Sequence, residues 1–142
     1  MILLDAYALI ALAADEPAAP DVERLLREGG SAVTSVNLAE AIDVTQRVRG
    51  LPAEEVRGAL EPLMGETVRV LSQGQDDAWR AADLRLRHYD RRTSVLSLAD
   101  CFLLAAARPD DSIATSDPAL ASAARAEGIG VRPLADSSGL MP

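Results

Sequence analysis

Short apolar runs and helical ridges alternate along this chain. Met1-Ile2-Leu3-Leu4 is an unbroken apolar run and reads as a buried strand. Residues 7–14 carry a helical pattern that Asp15-Glu16-Pro17 interrupts. Residues 21–27 read as a short helix ended by Gly29-Gly30, and residues 31–34 as a second strand. A longer helix is expected from residue 36 to about residue 49, then the turn Gly50-Leu51-Pro52, then a helix over residues 53–64. Residues 67–71 alternate and are β-rich, and a polar-faced helix follows over residues 75–90. The remainder predicts an apolar helix at 97–108, a strand at 112–115, a helix at 118–127 and a last strand at 130–133. Strands alternating with helices predict an α/β fold with a parallel sheet covered on both faces. No repeat or linker divides the chain, so one domain is expected over residues 1–134, with 135–142 a loose tail.

Composition narrows this picture. The chain has 142 residues, enough for one domain with a sizeable core. It is 49% apolar but only 3% aromatic, so the core is aliphatic and alanine-rich. A single Cys (Cys101) excludes an internal disulfide, and with a single His (His88) it leaves no ligands for a structural zinc. No basic leader precedes the first apolar run and no stretch is long enough for a bilayer, so a cytoplasmic protein without membrane contact is expected. The net charge of −8 argues against a protein that coats nucleic acid through overall basicity. Every Lys/Arg position is Arg, with no Lys at all.

Four carboxylates stand where a charge is unusual. Asp5 closes the first apolar run, Glu40 interrupts a helical ridge, Asp100 opens the apolar helix, and Asp117 follows the strand at 112–115. In a parallel α/β fold, strand ends and first helical turns meet at one crevice. Four acids gathered there call for cations. Each also has an ordinary reading. Asp5 and Asp117 fit helix N-caps, the latter ahead of Pro118. Ser97-Leu98-Ala99-Asp100 fits a capping box. Glu40 lies on the ridge Val36, Glu40, Val44, Val48, which turns it towards protein, either as a ligand or in a salt bridge with Arg. Thr115 and Ser116 are placed to contact a metal-bound water or a phosphate.

The chain resembles PIN domains. Leu4-Asp5-Ala6-Tyr7-Ala8-Leu9 is similar to their first motif, Ser35-Val36-Asn37-Leu38-Ala39-Glu40 to the second, Ser97-Leu98-Ala99-Asp100 to the third, and Ala114-Thr115-Ser116-Asp117-Pro118 to the fourth. The match is nearest to the VapC toxins of toxin–antitoxin pairs. It departs at Ala6, where many PIN domains have Ser or Thr. The resemblance implies a three-layer α/β/α sandwich with a mostly parallel sheet of four to five strands. It also implies an endoribonuclease dependent on one or two Mg²⁺ or Mn²⁺ ions, usually a homodimer, held inactive by a VapB-type antitoxin. Asp5, Glu40, Asp100 and Asp117 match the family's acidic quartet and would be both the catalytic and the metal-holding residues. Thr115 would be the hydroxyl often found beside them.

Arg80, Arg85, Arg87, Arg91 and Arg92 form a locally basic stretch that either grips RNA phosphates or forms a solvated helix face. Apolar faces on the first two helices offer a surface for a partner or antitoxin. The absence of Lys excludes a P-loop and counts against response-regulator and haloacid-dehalogenase-like chemistry. The alternative is a non-catalytic PIN-like domain that binds RNA or protein as a regulator. Tyr7, Trp79, Tyr89 and Phe102 are too scattered for a base-stacking platform.

Overall fold

A computed structural model describes residues 1–142. The chain runs β1 (Ile2–Leu4), α1 (Ala6–Ala14), α2 (Ala19–Glu28), β2 (Ser31–Thr34), α3 (Ser35–Arg47) and α4 (Ala53–Leu60), the last followed by a 3₁₀ turn at Glu61–Leu63. It continues through β3 (Val68–Leu71), α5 (Gln75–His88), α6 (Leu98–Ala106), β4 (Ser112–Thr115), α7 (Pro118–Ala126) and β5 (Gly130–Pro133). The strands are all parallel, in the order β3-β2-β1-β4-β5, so the sheet is more uniform than the mostly parallel one expected.

Side chains alternate across the sheet and divide the core in two. Ile2, Leu4, Val33, Val68 and Ala114 face one layer, made by α1, α2, α3 and α4. Leu3, Ala32 and Ile113 face the other, made by α5, α6 and α7. The result is a three-layer α/β/α sandwich. Because β1 is central, with β2 on one side and β4 on the other, the strand order reverses beside it. That is where open parallel sheets form their crevice.

Several boundaries differ from expectation for local reasons. The helix expected over 53–64 tightens to 3₁₀ geometry at Glu61, because Pro62 has no N–H for the α-helical ladder. Helix α3 begins at Ser35, since the Thr34 hydroxyl caps it by accepting from the Asn37 N–H. Helix α5 stops at His88 because Asp90 pairs with Ser94 in a tight turn. The ridge Val36, Glu40, Val44, Val48 skirts the core: Val44 packs against it but Val48 is 54% exposed, and the fully buried side of α3 is Asn37, Ala41 and Thr45. Nor is the tail loose at Asp136, whose carboxylate accepts the backbone N–H groups of Ser138 and Leu140 and closes a turn. The apolar faces of α1 and α2 are turned into the core, through Leu9, Ile10, Val22 and Leu25. An open apolar groove of about 390 Å³ lies instead between α3 and α4. No helix is long and apolar enough to cross a membrane.

Candidate active site

Asp5 leaves the carboxyl end of β1 as the N-cap of α1. Its Oδ1 accepts the Ala6 N–H (2.6 Å) and its Oδ2 accepts the Thr115 hydroxyl (2.8 Å). Thr115, wholly buried at the end of β4, also accepts the Asp117 N–H at 3.0 Å. One hydroxyl therefore ties two of the acids together across the central strand pair. Asp117 caps α7, with its Oδ1 accepting the Ala119 N–H at 2.7 Å. Asp100 completes a reciprocal capping box at the start of α6: its Oδ2 accepts the Ser97 N–H (2.7 Å) while its own N–H reaches the Ser97 hydroxyl (3.0 Å). The cap readings are thus all realised, and none removes the acid from the crevice. Each carboxylate oxygen has two lone pairs, so a capping Asp keeps acceptor capacity.

Glu40 reaches the same place from α3. All four acids line one cleft of about 290 Å³, together with Ser97, Ser116 and the apolar walls Tyr7, Ile10, Val44 and Val95. The salt bridge weighed for Glu40 does not form; its carboxyl is half-buried, and its charged neighbours are Asp100 and Asp43. The side chain points into the cleft rather than into core.

The electrostatics follow from burial and like charge. Burial pushes the Asp5 carboxyl up to about 7, Asp100 and Glu40 push the same way, and the Thr115 and Ala6 hydrogen bonds partly offset this. Glu40 is raised by burial, then by Asp100 and Asp43. Asp100 is raised by burial and by Asp117, against its Ser97 bonds and the Arg85 charge. Arg85 is the basic group whose pull reaches this cluster.

Standing as they do, no three of the carboxylates converge tightly enough to hold an ion by themselves. Mg²⁺ commonly keeps several waters, so its sites need not be closed protein cages. The donors available are all carboxylate and hydroxyl oxygens, the set suited to Mg²⁺ or Mn²⁺ and not to softer ions. The chemistry of the site fits such a cation.

The sequence profile described as the PIN domain matches residues 2–126. The chain belongs to the PIN-domain family. No curated protein matches it. Among solved structures it is similar to a toxin–antitoxin complex from Klebsiella pneumoniae, at 21% identity and TM-score 0.58, covering 82% of this chain and 87% of that one. It is also similar to FitAcB from Neisseria gonorrhoeae, at 21% identity and TM-score 0.60, covering 92% and 96%. Both likenesses bear on the PIN fold.

Around the cleft of this PIN domain, the five basic-stretch arginines separate into different roles. Arg87 is tied to Glu127 at 2.5 Å and to Asp83 at 3.2 Å, and Arg80 leans on the Ala107 carbonyl. Arg91 and Arg92 are exposed on the turn between α5 and α6. Arg85 lies with its guanidinium 4.8 Å from the centre of the Tyr89 ring, and its charge favours the ionised form of Asp100. His88 is bonded to Glu127, away from the cleft. Cys101 is buried, its thiol pushed up to about 11 by burial and by Asp100. Two features went beyond the sequence reading. Ser97 is a cleft residue, signalled only by its capping box. The Thr115 hydroxyl, expected to meet water or phosphate, is engaged by Asp5 and Asp117.

Proposed function

We propose that this PIN domain is a divalent-metal-dependent endoribonuclease of the VapC kind, the toxin half of a toxin–antitoxin pair. The observation that carries this reading is the gathering of Asp5, Glu40, Asp100 and Asp117 on one cleft, with burial and mutual repulsion raising three of them. Four acids kept together at such cost to stability call for a cation, and the all-oxygen donor set names its class. The likeness to the toxin–antitoxin complex supports the toxin assignment.

These four side chains would hold one or two Mg²⁺ or Mn²⁺ ions. Bound there, a divalent cation supplies charge that offsets the RNA phosphate and makes a water easier to deprotonate. The protein's own groups do the positioning. Thr115 fixes Asp5, Ser97 fixes Asp100 and Ala119 fixes Asp117, so three carboxylates meet the substrate already oriented. Burial and mutual repulsion raise the proton affinities of Asp5 and Glu40, and a bound cation would lower them again by supplying the opposite charge. Hydrolysis of this kind leaves a 5′-phosphate and a 3′-hydroxyl. The nuclease comprises residues 1–134, acts in the cytoplasm as a homodimer, and is restrained by a VapB-type antitoxin.

The test is induced expression of the wild type and of Asp100→Asn in bacterial cells, with transcriptome-wide mapping of new 5′-phosphate ends. New ends at one or a few RNA sites, absent with the variant, are expected. If the soluble wild type produces no new ends, in the native host as well, the nuclease reading falls and a binding role replaces it.

A further inference from the structure

Several arginines are neutralised inside the fold, Arg47 by Asp43, Arg49 by Glu16, and Arg87 by both Asp83 and Glu127. Arg69 and Arg108 are not. Neither has a carboxylate at salt-bridge distance, in a chain where acids outnumber bases by 22 to 14. Both line one cavity of about 350 Å³, which shares no residue with the carboxylate cleft. Arg69 stands on the edge strand β3, two residues before Leu71 and so on the same face, turned to the layer of α5, α6 and α7. Its guanidinium donates to the Met1 Sδ, a weak acceptor that leaves the charge unmet. Arg108 follows the end of α6. Asp111, three residues on, has both carboxylate oxygens engaged, one by the Met1 amino group (2.6 Å) and one by the Arg108 backbone N–H (2.9 Å). Two guanidinium forks without a carboxylate, on one concave surface, suit a phosphate group.

The rest of the lining sets a second requirement. Gln73 donates its Nε2 to the Phe102 carbonyl at 2.9 Å, which fixes the amide and leaves its Oε1 buried with no donor. Asp77 accepts the Gly74 N–H through Oδ2 (2.8 Å), and its other oxygen accepts nothing from the fold. Leu71, Ala106 and the Met1 side chain add an apolar wall. Inorganic phosphate would meet the arginines and leave both acceptors and the wall unused. The matching ligand has a phosphate at one end and a body carrying N–H or O–H donors at the other. A cavity of this volume lies in the range of small-molecule sites. A nucleic-acid strand would instead need cations along the whole path of its backbone, and here Asp77 stands beside the arginines.

We propose that this cavity is a second binding site, for a free nucleoside monophosphate. Arg69 and Arg108 hold the phosphate, the apolar wall packs against the nucleoside, and its hydroxyl or base N–H groups donate to Gln73 Oε1 and Asp77. The site does not depend on what the carboxylate cleft does. Helix α6 carries Asp100 in its first turn and meets this cavity only at Ala106, roughly 9 Å further along its axis.

The experiment is calorimetric titration of the full chain with AMP, GMP, CMP and UMP, with inorganic phosphate and the four nucleosides as controls. Chelator is present throughout, so that no divalent cation draws a phosphate to the carboxylate cleft. At least one nucleotide is expected to bind at least about tenfold more tightly than phosphate and than its own nucleoside. Arg69→Ala and Arg108→Ala should each weaken that binding about tenfold. Both side chains are exposed and outside any salt bridge, so the two variants should keep the melting curve of the wild type, which is checked first. Arg125→Ala, which removes an exposed charge on α7, leaves the affinity unchanged. Nucleotide binding that is absent, no tighter than that of phosphate, or untouched by the Arg69 and Arg108 variants overturns the site. So does a labelled single-stranded oligonucleotide whose binding needs these arginines while no mononucleotide binds, which would make the cavity a contact for a strand.

Discussion

At the scale of single residues, the N-cap carboxylates hold both the helices and the cleft. Asn caps a helix about as well as Asp, whereas Ala loses about 1 kcal/mol. Asp117→Asn is therefore expected to lose RNA cleavage with its melting temperature nearly unchanged, while Asp117→Ala loses cleavage and a few degrees of stability as well. Equal melting temperatures for the two would mean the cap contributes nothing. Asp5 makes a separate prediction about pH. Its carboxyl keeps a proton up to about 7 in the folded chain, against 3.8 ordinarily. Between those values the folded state binds the extra proton, so stability falls as pH rises through this window. Without metal, Asp5→Asn should flatten that decline in a series of thermal melts. A cation needs the deprotonated carboxylate, so Mn²⁺ should raise the melting temperature more near pH 8 than near pH 5. A shift equal at both would remove Asp5 from the metal site. The capping acids were legible in the sequence because a cap has a local signature. Glu40 stood out through its valine ridge, which only skirts the core: Val44 packs against the core and also lines the cleft, while Val48 is exposed. Arg85 was not separable from its neighbours, since its place beside Asp100 depends on how α5 packs against α6, which no local pattern encodes.

At the scale of elements, the period of the hydrophobic pattern located every strand and helix, because buried strands and amphipathic helices differ in spacing. The strands at 31–34, 112–115 and 130–133 coincide with β2, β4 and β5 residue for residue. Which side of α3 is buried was not legible. Its inner positions are Asn37, Ala41 and Thr45, too small or too polar to mark a core face, while the bulkier Val36 and Val44 are only half-buried and Val48 is exposed. Both polar residues hydrogen-bond locally: the Asn37 Oδ1 accepts from the Thr34 hydroxyl, although its Nδ2 is left without a partner, and the Thr45 hydroxyl donates to the Ala41 carbonyl. Enlarging the wholly buried Ala41 to Leu should therefore cost about 1–3 kcal/mol through overpacking. Val48→Ser should stay within about 0.5 kcal/mol, as at most exposed positions. Thermal denaturation of the pair checks the orientation of the helix, and a comparable loss in both would contradict it.

At the scale of the molecule, the fold leaves a cluster of uncompensated acids in a chain whose net charge is already −8. Saturating Mn²⁺ at about 100 times its dissociation constant should stabilise the fold by about 2.7 kcal/mol, a rise in melting temperature of roughly 8 °C. Chelator should reverse it, and an unmoved melting curve would mean that the cluster binds no cation. The three-layer architecture was legible from the alternation of elements. The full parallelism and the strand order were not, since pairing between distant segments is settled only by the packed whole. That order has a consequence in time. The hydroxyl that locks Asp5 into place belongs to Thr115, 110 residues further along the chain. A ribosome adding about 5–20 residues per second needs roughly 6–20 s to bridge that gap. Throughout it the emerging polypeptide has β2 to set beside β1 but not β4, which carries Thr115, so the cleft is completed late and all at once. For the toxin proposed above, translation itself would impose a delay in which a protective partner made alongside could already be folded and waiting.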